Sequence, residues 1–177
     1  MNLKKEVLSN TWEIELKAFK DLRGSFVKTY IRDFFEKEGL DFQMAEDFYS
    51  LSQKDVIRGM HFQLPPHDHD KLIYCPVGRV EDVLLDLRAG SDYGKFASVT
   101  LSGDEPSVLF VPKGVAHGFK SLTDNSMLMY KTSTVHAPAY DRGIRWDSFG
   151  YDWGEGAFLL SDRDLQHPSF SEFITPF

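Results

Sequence analysis

Between Val56 and Lys71 the chain sets a guanidinium, an imidazole, an amide and an ammonium into sixteen residues, on Arg58, His61, Gln63 and Lys71. A surface loop has no need of that mixture. A site that binds an anion and moves one proton uses all of it. Arg58 offers a rigid fork of donors for phosphate or carboxylate. His61 titrates near neutrality and suits a general base. Lys71 adds a second cation. By alternation Arg58 and His61 fall on opposite faces of a regular strand. Pointing both at one site requires a bulge, and Gly59 between them is suited to one.

The elements that must position these groups read as β-structure. Leu72 to Val77, Val80 to Leu87, Ala97 to Leu101, Ser107 to Val111 and Met127 to Thr134 are the clearest strands. Turn signals at Val77-Gly78-Arg79, Ala89-Gly90-Ser91-Asp92, Ser102-Gly103-Asp104 and Thr123-Asp124-Asn125 separate them. A spacing of roughly 8 to 12 residues indicates an all-β sandwich or barrel. One helix is expected at Ile31 to Gly39, with Gly39 as its stop. The aromatic-rich segment from about Asp147 packs on the barrel rather than folding alone, so residues 1–177 read as one domain.

Composition narrows the partners. A formal charge of −7 and a pI of about 5.3 argue against nucleic acid, which needs a basic face. The single cysteine, Cys75, cannot form an internal disulfide and reads as a small buried apolar residue in a cytoplasmic protein. No signal peptide or membrane span is expected.

Val111-Pro-Lys-Gly-Val-Ala-His117-Gly-Phe119 gives Pro-x-Gly-x-x-His at a strand end, the second half-motif of cupins. His67-Asp68-His69 supplies the imidazole pair of the first half-motif. The glutamate that should follow falls near Ile73 and Tyr74, so the metal reading lacks a ligand. His67 and His69 then read as polar loop residues after Pro65-Pro66, and no metal is expected.

Several blocks in order resemble the dTDP-4-dehydrorhamnose 3,5-epimerase family. They are Asp21-Leu-Arg23-Gly24-Ser-Phe26, Val56-Ile-Arg58-Gly59-Met-His61-Phe-Gln63, Asp82-Val-Leu-Leu-Asp86-Leu-Arg88, the His117 block, and Leu160-Ser-Asp-Arg163-Asp164. The resemblance runs from about Trp12 to Pro168. It implies a homodimeric, cupin-like jelly-roll barrel with a few short helices. It implies action on a nucleotide-diphosphate sugar with a 4-keto-6-deoxy hexose, with no cofactor. Carried over by position, His61 is the base and Asp164 the carboxylate that orients it. Lys71 lies near the C4 oxygen. Arg23, Arg58 and His117 contact the ligand, as do Gln63, Asp141 and Arg163 in the matching blocks.

Departures from the family bear on the acid and the nucleotide. The position taken for the acid tyrosine holds His136, replacing a phenol of pKa ~10 by an imidazole of pKa ~6.5. Tyr140 could stand in only if its loop were rearranged. Lys28, Glu46 and Phe48 stand where the family tends to have Glu, Gln and Asn, which changes the hydrogen bonding offered to the substrate. Lys28 and Glu46 could instead pair with each other. The rivals are a 3,4-ketoisomerase using His136, a metal-dependent cupin, and a non-catalytic sugar-nucleotide-binding module.

Overall fold

The computed structural model describes residues 1–177. It contains thirteen strands and two short α-helices. One sheet runs β1 (Asn2–Leu8), β2 (Thr11–Glu15), β10 (Ser107–Val111), β7 (Lys71–Val77), β12 (Ser126–Thr132), β5 (Glu46–Ser52). The other runs β13 (Asp141–Gly143), β6 (Ile57–Gln63), β11 (Val115–Ser121), β8 (Arg79–Asp86), β9 (Phe96–Ser102). A separate hairpin pairs β3 (Ala18–Asp21) with β4 (Gly24–Val27). All neighbours in the two sheets are antiparallel. From β5 onward most connections cross from one sheet to the other, which makes this the expected cupin-like jelly roll. A short run such as β6 and β7 therefore contributes to both walls of whatever lies between the sheets.

Ile73, Leu84, Leu109, Phe119 and Leu128 are buried together and cement the two sheets. A second cluster covers the outside of the five-stranded sheet. There the C-terminal segment lays Phe149, Trp153, Phe158, Phe173 and Phe177 on Ile57, Phe62, Val83 and Leu85. The fully buried side chains among them each contribute about 1.5–3 kcal/mol by leaving water and the partly buried ones add less, so this wrap is a firm part of the barrel. It is also tied by backbone. Leu159 bridges to Val56 in parallel, Ile57 N–H donates to Leu159 O at 2.9 Å, and Leu159 N–H donates to Asp55 O at 3.1 Å. This brings helix α2 (Asp162–Leu165) against β6.

The expected strands are all present within a residue or two. The helix is shorter than expected, α1 (Arg32–Lys37), and Gly39 follows it at φ +71°, in the left-handed conformation that ends helices. Strands β1 to β5 were not legible as clear strands. Four of them, β1, β3, β4 and β5, are largely exposed, so burial imposes no apolar alternation on their sequence, while β2 is buried but carries polar Thr11 and Glu13 among its buried residues. Cys75 is buried in β7 as expected.

The bulge expected at Gly59 is present. His61 lies opposite His117 and Arg58 opposite Phe119, so three steps on β6 match two on β11. Gly59 has φ +142°, and a Cβ there would come within 2.5 Å of Gly118 Cα. A Cβ on Gly118 would lie 2.9 Å from Arg58 O. Two glycines back to back let the strands close up while Arg58 and His61 turn to one side. No helix is long and apolar enough to cross a membrane.

Candidate active site

A cavity of about 290 Å³ opens between the sheets at one end of the barrel. Its walls come from β5, β7 and β12 on one side and from β6, β11 and β13 on the other. Arg58, His61, Gln63, Lys71, His117, His136, Asp141, Arg163 and Phe48 all line it. The volume is at the lower end for ligand sites, enough for a hexose but not for a whole sugar nucleotide.

His61 Nε2 lies 2.7 Å from Asp164 Oδ1. Asp164 is an ionised acceptor, so His61 gives it the Nε2 proton and keeps the Nδ1 lone pair free for a base. Asp164 is buried at the third position of α2, where its N–H donates to Ser161 Oγ at 3.1 Å. Gly59 N–H donates to its other oxygen at 3.3 Å. Burial by itself would raise the Asp164 pKa, but His167, His61 and the Gly59 N–H outweigh it and hold the carboxyl well below its usual range. Burial also pushes the His61 pKa below its ordinary value against the pull of Asp164, with Lys71 and Arg163 adding to the fall. The imidazole is therefore neutral, and basic, at pH 7.

His167, absent from the sequence reading, is the third member of this group. The ligand atoms of His61, Asp164 and His167 lie within 4.8 Å of one another. Around zinc the edges of a tetrahedron are roughly 3.3 Å. The 2.7 Å edge is a hydrogen-bond length, so the cluster as folded holds a proton. The cupin ligand set is committed elsewhere. His117 Nε2 is on Asp82 at 2.6 Å, His69 Nδ1 is 3.1 Å from Gln63 Nε2, and the His67 ring packs on Tyr140 at 4.4 Å.

Lys71 is buried, and its ammonium donates to His61 O at 3.1 Å. Burial brings its pKa down to about 8, while Asp141 and Asp82 hold it up. It stays charged at neutral pH, as a cation stripped of water. Beside it the His117–Asp82 pair is wholly buried. A second residue missed by sequence reading is Tyr130, on β12. Its ring packs edge-on to His117 at 5.8 Å and stacks on Phe48 at 4.8 Å. Burial drives its pKa far above the usual phenol value, so it is a held proton. Its place in a strand of ordinary barrel residues gave no signal.

The remaining expected residues divide. Arg58 is half committed, with Nε on Ser52 Oγ at 3.1 Å and a terminal nitrogen on Leu51 O at 3.2 Å. The Gln63 amide is used inside the protein: it donates to His67 O at 2.7 Å and accepts from Ala137 N–H at 2.6 Å. It shapes the wall rather than offering a free contact. Burial, with Lys71 and other nearby cationic groups adding to it, keeps His69 neutral, with a pKa lowered to about 3, and His69 lines the cavity instead of being a plain loop residue. Asp141 accepts from Arg163 at 2.7 Å. His136 is exposed at the rim, and its backbone N–H donates to Glu46 at 2.6 Å. Glu46, Phe48, His69, Thr132 and His136 line an adjoining cleft. Arg23 and Lys28 do not line this cavity: both are exposed on and beside the β3–β4 hairpin, and Arg23 is paired with Asp21. Glu46 does not pair with Lys28, because His136 occupies it.

A family model described as dTDP-4-dehydrorhamnose 3,5-epimerase matches residues 5–172. The dTDP-4-dehydrorhamnose 3,5-epimerase of Shigella flexneri is 37% identical over 174 residues, covering 96% of this chain and 96% of its own. The crystal structure of dTDP-6-deoxy-D-glucose-3,5-epimerase from Legionella pneumophila Philadelphia 1, in complex with dTDP-4-keto-L-rhamnose, superposes with a TM-score of 0.92. It is 30% identical and covers 98% of this chain and 94% of that one. A 3'-monoepimerase from Streptomyces bikiniensis superposes with a TM-score of 0.88 at 26% identity, over 97% of this chain and 87% of that one. It was solved in complex with dTDP, as a double mutant replacing a histidine by asparagine and a tyrosine by phenylalanine.

Proposed function

The chain belongs to the dTDP-4-dehydrorhamnose 3,5-epimerase family, and we propose that His61 and Tyr130 are the base and the acid of its reaction. It is an isomerase that epimerises a nucleotide-linked 4-keto-6-deoxy sugar, in deoxysugar precursor synthesis. The observation that carries the residue assignment is topological. His61 stands on the five-stranded sheet and Tyr130 on the six-stranded sheet, and both line one cavity. A sugar ring held between the sheets is met by a base on one face and a proton donor on the other, which inversion requires.

The C4 ketone acidifies the hydrogens on C3 and C5. His61 Nδ1 takes one of them, and the charge moves to the ketone oxygen as an enolate. Lys71, desolvated and cationic, stabilises that oxygen more strongly than an exposed lysine would. Tyr130 then returns a proton to the carbon from the opposite face. A phenol that burial keeps protonated gives it up only to a strong base, and an enolate carbon is one. That the monoepimerase relative was studied with a histidine and a tyrosine replaced supports the pairing. His136, exposed at the rim, is better placed for the nucleotide than for the carbon, which weakens the ketoisomerase reading. The diphosphate lies toward Arg58 and Arg163, with the nucleoside along the cleft by Glu46 and Phe48.

The hairpin exposes Phe19, Leu22 and Phe26, and it carries Arg23. Apolar residues held out in this way fit a homodimer in which each hairpin, with Arg23 and Lys28, reaches its partner's cavity mouth. Sedimentation at twice the 20.3 kDa chain mass is expected, and a monomer at micromolar concentration would overturn the pairing.

The test of function is dTDP-4-keto-6-deoxyglucose in D₂O, followed by proton NMR. Deuterium at both C3 and C5 with inverted products is expected. Label at C3 alone would make the chain a monoepimerase. Binding without label at either carbon would refute the reading.

A further inference from the structure

His167 has no part in the chemistry above, yet the fold builds a slot for it. Its ring lies against Gly143, where a Cβ would come within 2.3 Å of its Nε2. Arg145 N–H donates to Pro168 O at 2.9 Å and pins the next residue. Nε2 is fully buried and makes no hydrogen bond of good geometry. It points to Asp164 Oδ1, the oxygen that His61 already uses, at 3.5 Å. The two imidazoles meet edge to face, with centroids 5.7 Å apart and planes at 78°.

Opposite an ionised carboxylate only a protonated Nε2 is tolerable, since a lone pair there would face a negative charge in a dry place. Two N–H groups then converge on one oxygen. Each weakens what that oxygen offers the other. We propose that His167 is a positioning residue which shares Asp164 with His61 and limits the carboxylate's hold on a proton at the base. This deepens the reading of His61 as base and rests on it.

The consequence is a pH dependence with a definite sign. His61 must be neutral to act, so activity falls as pH falls through its pKa. The titratable groups facing it are Asp164 and Arg163 from α2, Lys71 from β7, His117 from β11 and Asp141 from β13. Asp164 alone among the anions touches its ring. Removing the second donor strengthens the Asp164 charge toward His61, stabilises the imidazolium and moves the acid limb to higher pH. Lys71 sets the opposite limb, near its pKa of about 8, and stays in place.

His167→Leu fills the slot without a donor, and His167→Gln keeps an N–H. In His167→Leu, kcat/KM at pH 6 is expected to fall about three- to tenfold while the value at pH 7.5 stays within about twofold. His167→Gln restores the acid limb. The midpoint of the His61 C2–H resonance, titrated by NMR, moves up in the Leu variant and returns in the Gln variant. An unmoved resonance in His167→Leu would overturn the proposal. So would an equal loss at every pH in both variants, which marks a purely structural role. A moved resonance with an unmoved kinetic limb would leave the coupling standing and remove His61 as the base.

Discussion

His61→Gln is expected to lower proton exchange at the carbons beside the ketone by about 10³–10⁴-fold, or about 4–5.5 kcal/mol of transition-state stabilisation. Glutamine sets an amide N–H near the place of Nε2, where Asp164 takes its hydrogen bond, and has nearly the volume of histidine, so the buried carboxylate is not orphaned and the barrel stays folded. It has no lone pair of useful basicity for a carbon acid. The measurement is deuterium wash-in by proton NMR, with dTDP affinity measured alongside as a check on the site. Affinity within about threefold of wild type, with exchange lost, is the expected pair of results. Exchange at the wild-type rate would remove His61 as the base whatever the affinity.

Tyr130→Phe separates the second proton transfer from the first. The substitution deletes one hydroxyl and leaves the stack on Phe48 and the contact with His117 intact. His61 still removes the proton, exchanges it with solvent and returns it to the face it left. Label therefore enters with retention, while inversion falls about 10²–10³-fold. His136→Ala in the same assay keeps inversion and raises KM if His136 serves the nucleotide. The reverse pattern, with inversion lost in His136→Ala and kept in Tyr130→Phe, would give the acid role to His136.

The contrast between these two residues shows what was legible in the chain. His61 and Lys71 could be read from residue type, because a buried strand carries such groups only for a reason. The need for a bulge followed from alternation and from Gly59, and the register between β6 and β11 contains it. Tyr130 could not be read in this way. A tyrosine in a strand is an ordinary barrel residue until the opposing sheet is known, and that sheet is assembled from distant parts of the chain. The exposed His136 drew the acid role because it interrupts a familiar pattern. Asp164 and His167 depend on the path of the C-terminal wrap, which no local periodicity encodes. Arg23 and Lys28 looked like site residues in sequence and stand outside this chain's own cavity, on and beside an exposed hairpin.

The base and its carboxylate are 103 residues apart. His61 sits in the first half of the chain, and its partner arrives on the segment that crosses β6 beside Val56 and Leu159. Because a chain emerges from the ribosome N-terminus first, the strands around His61 are available long before Asp164 is. Until that segment has emerged the imidazole has no carboxylate to set its tautomer or steady its charge. The arrival of this later segment completes the dyad, and catalytic competence becomes a property of the wrapped barrel rather than of the strands that precede it.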